Sequence, residues 1–477
     1  MTLRSAELTA EIRRIEGRRR LLVHARRSEA LASFEGSAHE LAGGSVLEGE
    51  LSPKNARALR GAFPHLRPRP VGPLVSAGVG DRLGLAGAGH VDAFRTYGVG
   101  VFPVFAQQSI RELERLGREP HEVIDAATYG AVAAGWTLPV GADLDHIRRI
   151  DDIDRGVQAG FTTFTLDPGD HVRRTGATPS RQQVESVDWA SFGETPEALV
   201  ARHAGRPLDI GDRTIVPGAD DVMRAAVKYA DAVVAVARMS RRVHELATGP
   251  VEVEVAVDET AQRTTFFEHH FIASELTRFD VTWTGLAPRY IDGFEKGVEF
   301  RGEVEALVAD VRGHAAIARQ HGGYKLSLHS GSDKFGIYER VLDAAGGRMH
   351  LKTSGTSYLA ALSVIACREP ALFRDIYRES VNAYEQSRNS YQVSSLPSAD
   401  IDAIPDADLP EVIEAAGSRQ VLHVGYGAAL TRTDAAGRRY LDIAARRALA
   451  NNEDEYRSLL HRHIGRHLVP FSAWGAR

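Results

Sequence analysis

The sequence almost lacks cysteine: Cys367 is the one example among 477 residues. A disulfide within the chain and a Cys-rich metal centre are therefore both excluded. Its neighbourhood, SVIACREP, is apolar with helical spacing, which predicts a core position for Cys367 rather than a nucleophile. No apolar run approaches the ~20 residues that a membrane span needs. The opening stretch, MTLRSAELTAEIRR, has no apolar leader segment, which points to the cytoplasm. A strong charge excess is missing too. The net charge is -5, so no overall basic field directs the chain to nucleic acid or to an anionic membrane. The one basic run, RRIEGRRRLLVHARR, reads as a solvated helix face. There is no Walker loop, no GxSxG elbow and no HExxH pair, and Gly78 and Gly80 are not followed by a glycine at dinucleotide spacing.

What is present is an ordinary globular composition, 43% hydrophobic and 25% charged. The length suits one large α/β domain with extensions, or two or three smaller ones. Residues 1–70 read as a helical extension that ends in the Pro-rich PHLRPRPVGP. From there short β-rich runs alternate with helical stretches. The runs are LVSAG, YGVGVFPVFA, WTLPVGAD, TTFTLDP, VEVEVAVDE, FDVTWTGLAP, YKLSLHSG, MHLKTSG and VLHVGYG. Among the helical stretches, one places Ile147, Ile150, Ile153 and Val157 on a single face. Strands alternating with helices predict a parallel sheet, and this number of units predicts a (β/α)8 TIM-like barrel over residues 71–430. A doubly wound sheet is the alternative. Residues 431–477 read as a C-terminal helical segment. The loop-rich stretch 171–217 is expected to be an insertion over one face, with a lid as one reading.

Most of the later strands carry polar side chains on one face. Period-two alternation puts Glu252, Glu254 and Asp258 opposite a set of valines. It likewise groups Lys325, Ser327 and His329, and pairs His350 with Lys352. WTLPVGAD runs into Asp143, Asp145 and His146, and TTFTLDP into Asp167, with Asp170 and His171 beyond. In a barrel that face points to the axis, and such enzymes react at the C-terminal strand ends. Each strand has a bland reading as well. Glu252 and Glu254 suit an exposed edge strand, and His350 and Lys352 suit structural ion pairs. The pattern on four separate strands favours a shared polar site. A divalent ion such as Mn, Zn, Co, Ni or Fe suits its mixed ligands, with His146 and His329 as imidazoles and Asp145, Glu254 and Asp167 as carboxylates.

An ordered set of motifs spans nearly the whole chain. It comprises GDRLGLAGAGH (80–90), FAQQSIREL (105–113), GADLDHI (141–147), FTTFTLDPGDHV (161–172), VEVEVAVDET (251–260), APRY with FEKGVEF (287–300), HSGSDKF (329–335) and HLKTSGTSYLAAL (350–362). This set resembles the tagaturonate/fructuronate epimerase family. LGLAGAGH and KTSGTSYLAAL depart from the usual pattern, which leaves a related sugar acid open as substrate. The resemblance implies a barrel fold and a metal-dependent epimerase of hexuronate ketoses. It implies Asp145 as proton acceptor and Glu254 as its partner acid, with Glu252 or Glu259 as alternatives. His146 and His329 correspond to metal ligands, with His350 as a third. The substrate carboxylate needs cations, for which Arg289, Lys296, Lys334 and Lys352 are candidates. Gln107, Gln108, Ser330 and Ser332 are candidates for its hydroxyls. A sugar isomerase, an aldolase and a sugar-acid binding protein are the competing classes. The expected partner is a small molecule, and association into a homo-oligomer is compatible with the sequence.

Overall fold

A computed structural model describes residues 1–41, 43–388, 391, 393–396 and 400–475. Residues 1–70 do not form the expected helical extension. They build a five-stranded antiparallel sheet, ordered β1-β2-β3-β5-β4, from β1 (Leu3–Arg4), β2 (Leu8–Ile15), β3 (Arg18–Ala25), β4 (Ser37–Leu41) and β5 (Gly44–Gly49). A helix, Pro53–Ala62, follows, capped by the Ser52 side chain. The basic run is the β2–β3 hairpin, turning at Glu16 and Gly17, both with positive φ. Leu21, Val23 and Ala25 are buried at period two, a strand signal that the surrounding arginines mask.

Eight of the nine β-rich runs supply the barrel strands. These are β6 (Ser76–Val79), β7 (Phe102–Ser109), β8 (Gly141–Ile147) and β9 (Thr163–Leu166), then, after a small hairpin β10 (Leu208–Asp209) and β11 (Thr214–Ile215), β12 (Glu252–Ala256), β13 (Gly285–Ala287), β14 (Lys325–Leu328) and β15 (Met349–Thr353). All eight pair in parallel and close, β15 joining β6 and β9 joining β12. The ninth run, VLHVGYG, is not a strand. It lies in the helix Ala416–Thr431 and is buried throughout. A short, wholly apolar run has no periodicity that separates a strand from a buried helix.

Other expectations also change. Ile147 ends β8, and the helix begins only at Ile150, which is 45% exposed. The insertion 171–217 begins against the loop after β12, where Thr175 and Gln262 exchange hydrogen bonds. Its short helices pack on the long helix Ala219–Leu246, where Asp231 accepts the Asp188 N–H and pairs with Arg173. Cys367 is exposed on the last turn of the helix Thr356–Arg368, whose apolar face is instead Leu362, Ile365 and Ala366. The C-terminal helix Glu453–Gly475 lies along the helix Gly87–Tyr97. Their contact needs Gly89, where an added Cβ would stand 2.7 Å from Leu460 Cβ. No described helix is long and apolar enough to cross a membrane.

Candidate active site

Alternation turns the polar face of each strand into the barrel, and strand register sets how deep each side chain sits. Deepest is Glu252, whose carboxylate accepts the backbone N–H groups of Val71 and Gly72, both at 2.9 Å, and the Thr163 hydroxyl at 2.8 Å. It plugs the closed end, so it is neither an edge-strand residue nor an alternative to Glu254. His350 is also below the mouth. Its Nδ1 lies 2.8 Å from Ser76 Oγ, and burial lowers its pKa far below the usual range. This places it beneath His146 and His329, and it is absent from the ligand-type groups that they form.

One layer higher sits Lys352. Its ammonium lies 2.8 Å from Asp143 Oδ2, 2.8 Å from Asp145 Oδ1 and 2.9 Å from Glu254 Oε1, and it donates to Thr165 Oγ1 at 2.7 Å. Three carboxylates thus occupy the cation expected to bind substrate. Burial opposes the charged forms of Asp145 and Glu254. For Asp145 the neighbours His146 and Lys352 outweigh burial, and for Glu254 Lys352 and His329 do, so both pKa values are held well below normal. Asp143 ends differently. Burial dominates over Lys352, and the like charges of Asp145 and Glu254 add to it, raising its pKa to about 6. Glu254 also accepts from Ser327 and bonds His329 Nε2 at 2.7 Å, while Gln107 Nε2 donates to Asp145 at 3.1 Å.

At the mouth the imidazoles of His146 and His329 approach with ring centroids 4.9 Å apart. Simple alternation would send Asp145 and His146 to opposite faces. His146 instead adopts φ 54°, at an irregularity in the β8–β9 register, and turns to the same site. The ligand-type atoms of Asp145, His146 and His329 all lie within 4.8 Å of one another, as do those of His146, Asp167 and Glu259. Asp258, which shares the β12 face pattern but was given no role by sequence, stands between them. Its Oδ1 is 3.1 Å from His329 Nδ1 and 3.6 Å from His146 Nε2. His146 Nδ1 lies 2.9 Å from Asp145 Oδ1, so both mouth imidazoles face carboxylates. Burial opposes protonation of His329, yet Asp258 and Glu254 raise its pKa to about 9. Imidazole nitrogens and carboxylate oxygens grouped this closely fit a divalent cation.

The other acids are committed elsewhere. Glu259 pairs with Arg111 at 2.6 Å, and Asp167 with Arg148 at 2.9 Å. Asp170 and His171 are exposed. Of the residues expected at substrate, Lys296, Ser330, Ser332 and Lys352 line the mouth. Ser330 has φ 52°, and its loop is clamped by Asp333, which pairs with His463 at 2.9 Å and Arg419 at 3.0 Å. Three expectations do not hold. Lys334 is buried and donates to the carbonyls of Glu295, Val298 and Ser332, pinning the segment that carries Lys296. Gln108 faces away from the axis, donating to Glu112 and accepting from the Asp81 N–H. Arg289 lies outside the mouth, with its guanidinium on Asp292 and the Asp258 carbonyl. His423, from the helical run misread as a strand, completes the mouth together with Ser354. Nothing local in the sequence marks it.

Comparison with known proteins gives a consistent result. Residues 5–470 match the model of the tagaturonate epimerase family. The chain is 37% identical over 421 residues to the tagaturonate/fructuronate epimerase of Thermotoga maritima, across 88% of this chain and 85% of that one. A crystal structure of fructuronate-tagaturonate epimerase from Cohnella laeviribosi, complexed with one glycerol, superposes with a TM-score of 0.89 at 32% identity, covering 98% of this chain and 95% of that one. The native crystal structure of the same protein gives the same TM-score of 0.89, with the same coverage.

Proposed function

This chain belongs to the tagaturonate epimerase family, and we propose that it interconverts D-tagaturonate and D-fructuronate with the help of a divalent metal. The observation that carries this reading is the meeting of Asp145, Glu254 and Lys352 with the clustered imidazoles of His146 and His329 and the Asp258 carboxylate at the C-terminal end of the barrel. The two sugars differ at one hydroxyl-bearing carbon, two bonds from the ketone. Its hydrogen is not acidic, so direct deprotonation would leave an unstabilised carbanion. Breaking the neighbouring carbon–carbon bond avoids this. The hydroxyl proton leaves, an enediolate and an aldehyde form, the aldehyde turns over, and the bond re-forms on its other face.

Asp145 accepts the hydroxyl proton in one orientation and Glu254 serves the other. Lys352 keeps both carboxylates ionised and offers a route by which the proton returns between turnovers. Gln107 orients Asp145, Ser330 and Ser332 hold hydroxyls, and Lys296 pairs with the substrate carboxylate. His146, His329 and Asp258 would hold the metal, a Lewis acid that polarises the ketone. The mouth encloses only about 20 Å³, roughly one water. The segment around Lys296 and the helix bearing His423 border this opening.

Incubating metal-reconstituted protein with D-tagaturonate and following the products by NMR tests the proposal. Fructuronate should form without solvent deuterium at the inverted carbon. Asp145→Asn and Glu254→Gln should each lower kcat at least about 1,000-fold while metal stays bound. Deuterium uptake would replace this route with direct deprotonation, and accumulating free aldehyde would make the protein an aldolase.

A further inference from the structure

A second cavity, of about 550 Å³, opens away from the barrel mouth. It lies between the N-terminal sheet, the helices Gly87–Tyr97 and Pro120–Ala134, and the C-terminal helix Tyr440–Asn451. Four arginines border it: Arg19 from β3, Arg118 from the turn after the helix Ile110–Leu116, and Arg439 and Arg446 from the C-terminal segment. Two of them converge on Gly84, where an added Cβ would stand 3.7 Å from Arg118 Nη2 and 3.8 Å from Arg446 Nη1.

Three acids, Glu122, Asp125 and Asp442, line the crevice beside these four cations. Arg446 has a close carboxylate, Asp442, at 2.9 Å. Arg118 donates to the backbone carbonyls of Asp81 at 2.6 Å and Glu122 at 3.4 Å. Arg439 donates to the carbonyl of Leu116 at 2.6 Å. Arg19 is 3.9 Å from Glu453, beyond hydrogen-bond reach. Of the other acids at the rim, Asp125 is paired with Arg60 at 2.8 Å, while Glu122 accepts the Glu119 N–H at 2.6 Å and keeps its negative charge. Burial lowers the pKa of both Arg19 and Arg118 against the opposing pull of nearby acids, Glu453 for the first and Asp81 for both.

Carbonyl dipoles orient such groups but leave their charge in place. We propose that this crevice is a binding site for a phosphate-bearing small molecule. Guanidinium forks match phosphate oxygens two at a time, and several of them favour a dianion over a single carboxylate. The volume suits a ligand of sugar-phosphate or nucleotide size. The site is separate from the barrel mouth. The loop after β6 borders both, because an added Cβ on Gly80 would stand 2.7 Å from Ser354 Cα, while Asp81 meets Arg118.

Calorimetric titration of the full chain with inorganic phosphate, at constant ionic strength in chloride, tests the site. Saturable binding is expected, weakened at least tenfold in Arg118→Gln/Arg439→Gln and unchanged in His329→Ala. A second measurement needs no variant. Phosphate should slow phenylglyoxal modification of Arg118 and Arg439 in the unaltered protein at least threefold, and leave the exposed Arg181 unprotected. The proposal is overturned by any one of four results: no saturable binding, equal affinity in the double variant, loss of binding in His329→Ala, or no protection.

Discussion

Asp258 Oδ1 stands 3.1 Å from Nδ1 of His329 and 3.6 Å from Nε2 of His146, so one carboxylate faces both imidazoles of the mouth. A carboxylate that faces both mouth imidazoles is better placed as a third ligand than His350, which lies beneath them with its Nδ1 on Ser76. Asp258→Asn should lower metal affinity at least tenfold, whereas His350→Gln should leave it within twofold. Elemental analysis after dialysis reads both. Equal metal loss in the two variants would return His350 to the site.

Lys352 is the shared counter-ion of Asp143, Asp145 and Glu254, and its side chain is 4% exposed. Removing one partner of a buried ionic group leaves the others uncompensated. Lys352→Met should therefore cost about 3–5 kcal/mol in urea denaturation as well as abolish turnover. A loss below about 1 kcal/mol would show that the carboxylates find other partners or take up protons.

A cluster of buried and half-buried histidines outside the barrel should make the fold sensitive to acid. His269 Nδ1 faces His314 Nδ1 at 2.9 Å and its Nε2 meets the Tyr324 hydroxyl at 2.6 Å, while His270 faces His321 at 3.0 Å. Asp310 lies 3.6 Å from His314, and Arg263 adds a positive charge nearby. Burial pushes His314 down to about 3, and burial with His321 pushes His270 down to about 4. The unfolded chain, with histidines near 6.5, therefore binds more protons at mildly acidic pH. Their contribution to stability is complete above pH 6.5 and is lost as pH falls toward those folded values. Each such histidine removes about 1.4 kcal/mol per pH unit in that window. Urea midpoints at pH 7, 6 and 5 should fall steadily. The carboxylates held low at the barrel mouth lose their contribution only below about pH 4.5. A flat profile from pH 7 to 5 would mean that the cluster opens at little cost.

Side-chain alternation is a local property, fixed by backbone geometry over two or three residues, and the sequence determined it. The eight barrel strands, the inward face of Glu252, Glu254 and Asp258, and the inward set Lys325, Ser327 and His329 all follow from it. The sequence also carried the ordered motifs of the family. It did not reveal the N-terminal sheet, because arginines obscured the alternation of β3, nor the helix bearing His423, because a wholly apolar run has no period. Tertiary structure alone decided depth along the barrel axis. His329 and His350 sit on neighbouring strands and both point inward, yet one reaches the mouth and the other bonds Ser76 beneath it. That difference comes from strand register and barrel closure, which depend on residues far apart in the chain. The same long-range pairing turned Lys352 toward three carboxylates rather than toward solvent.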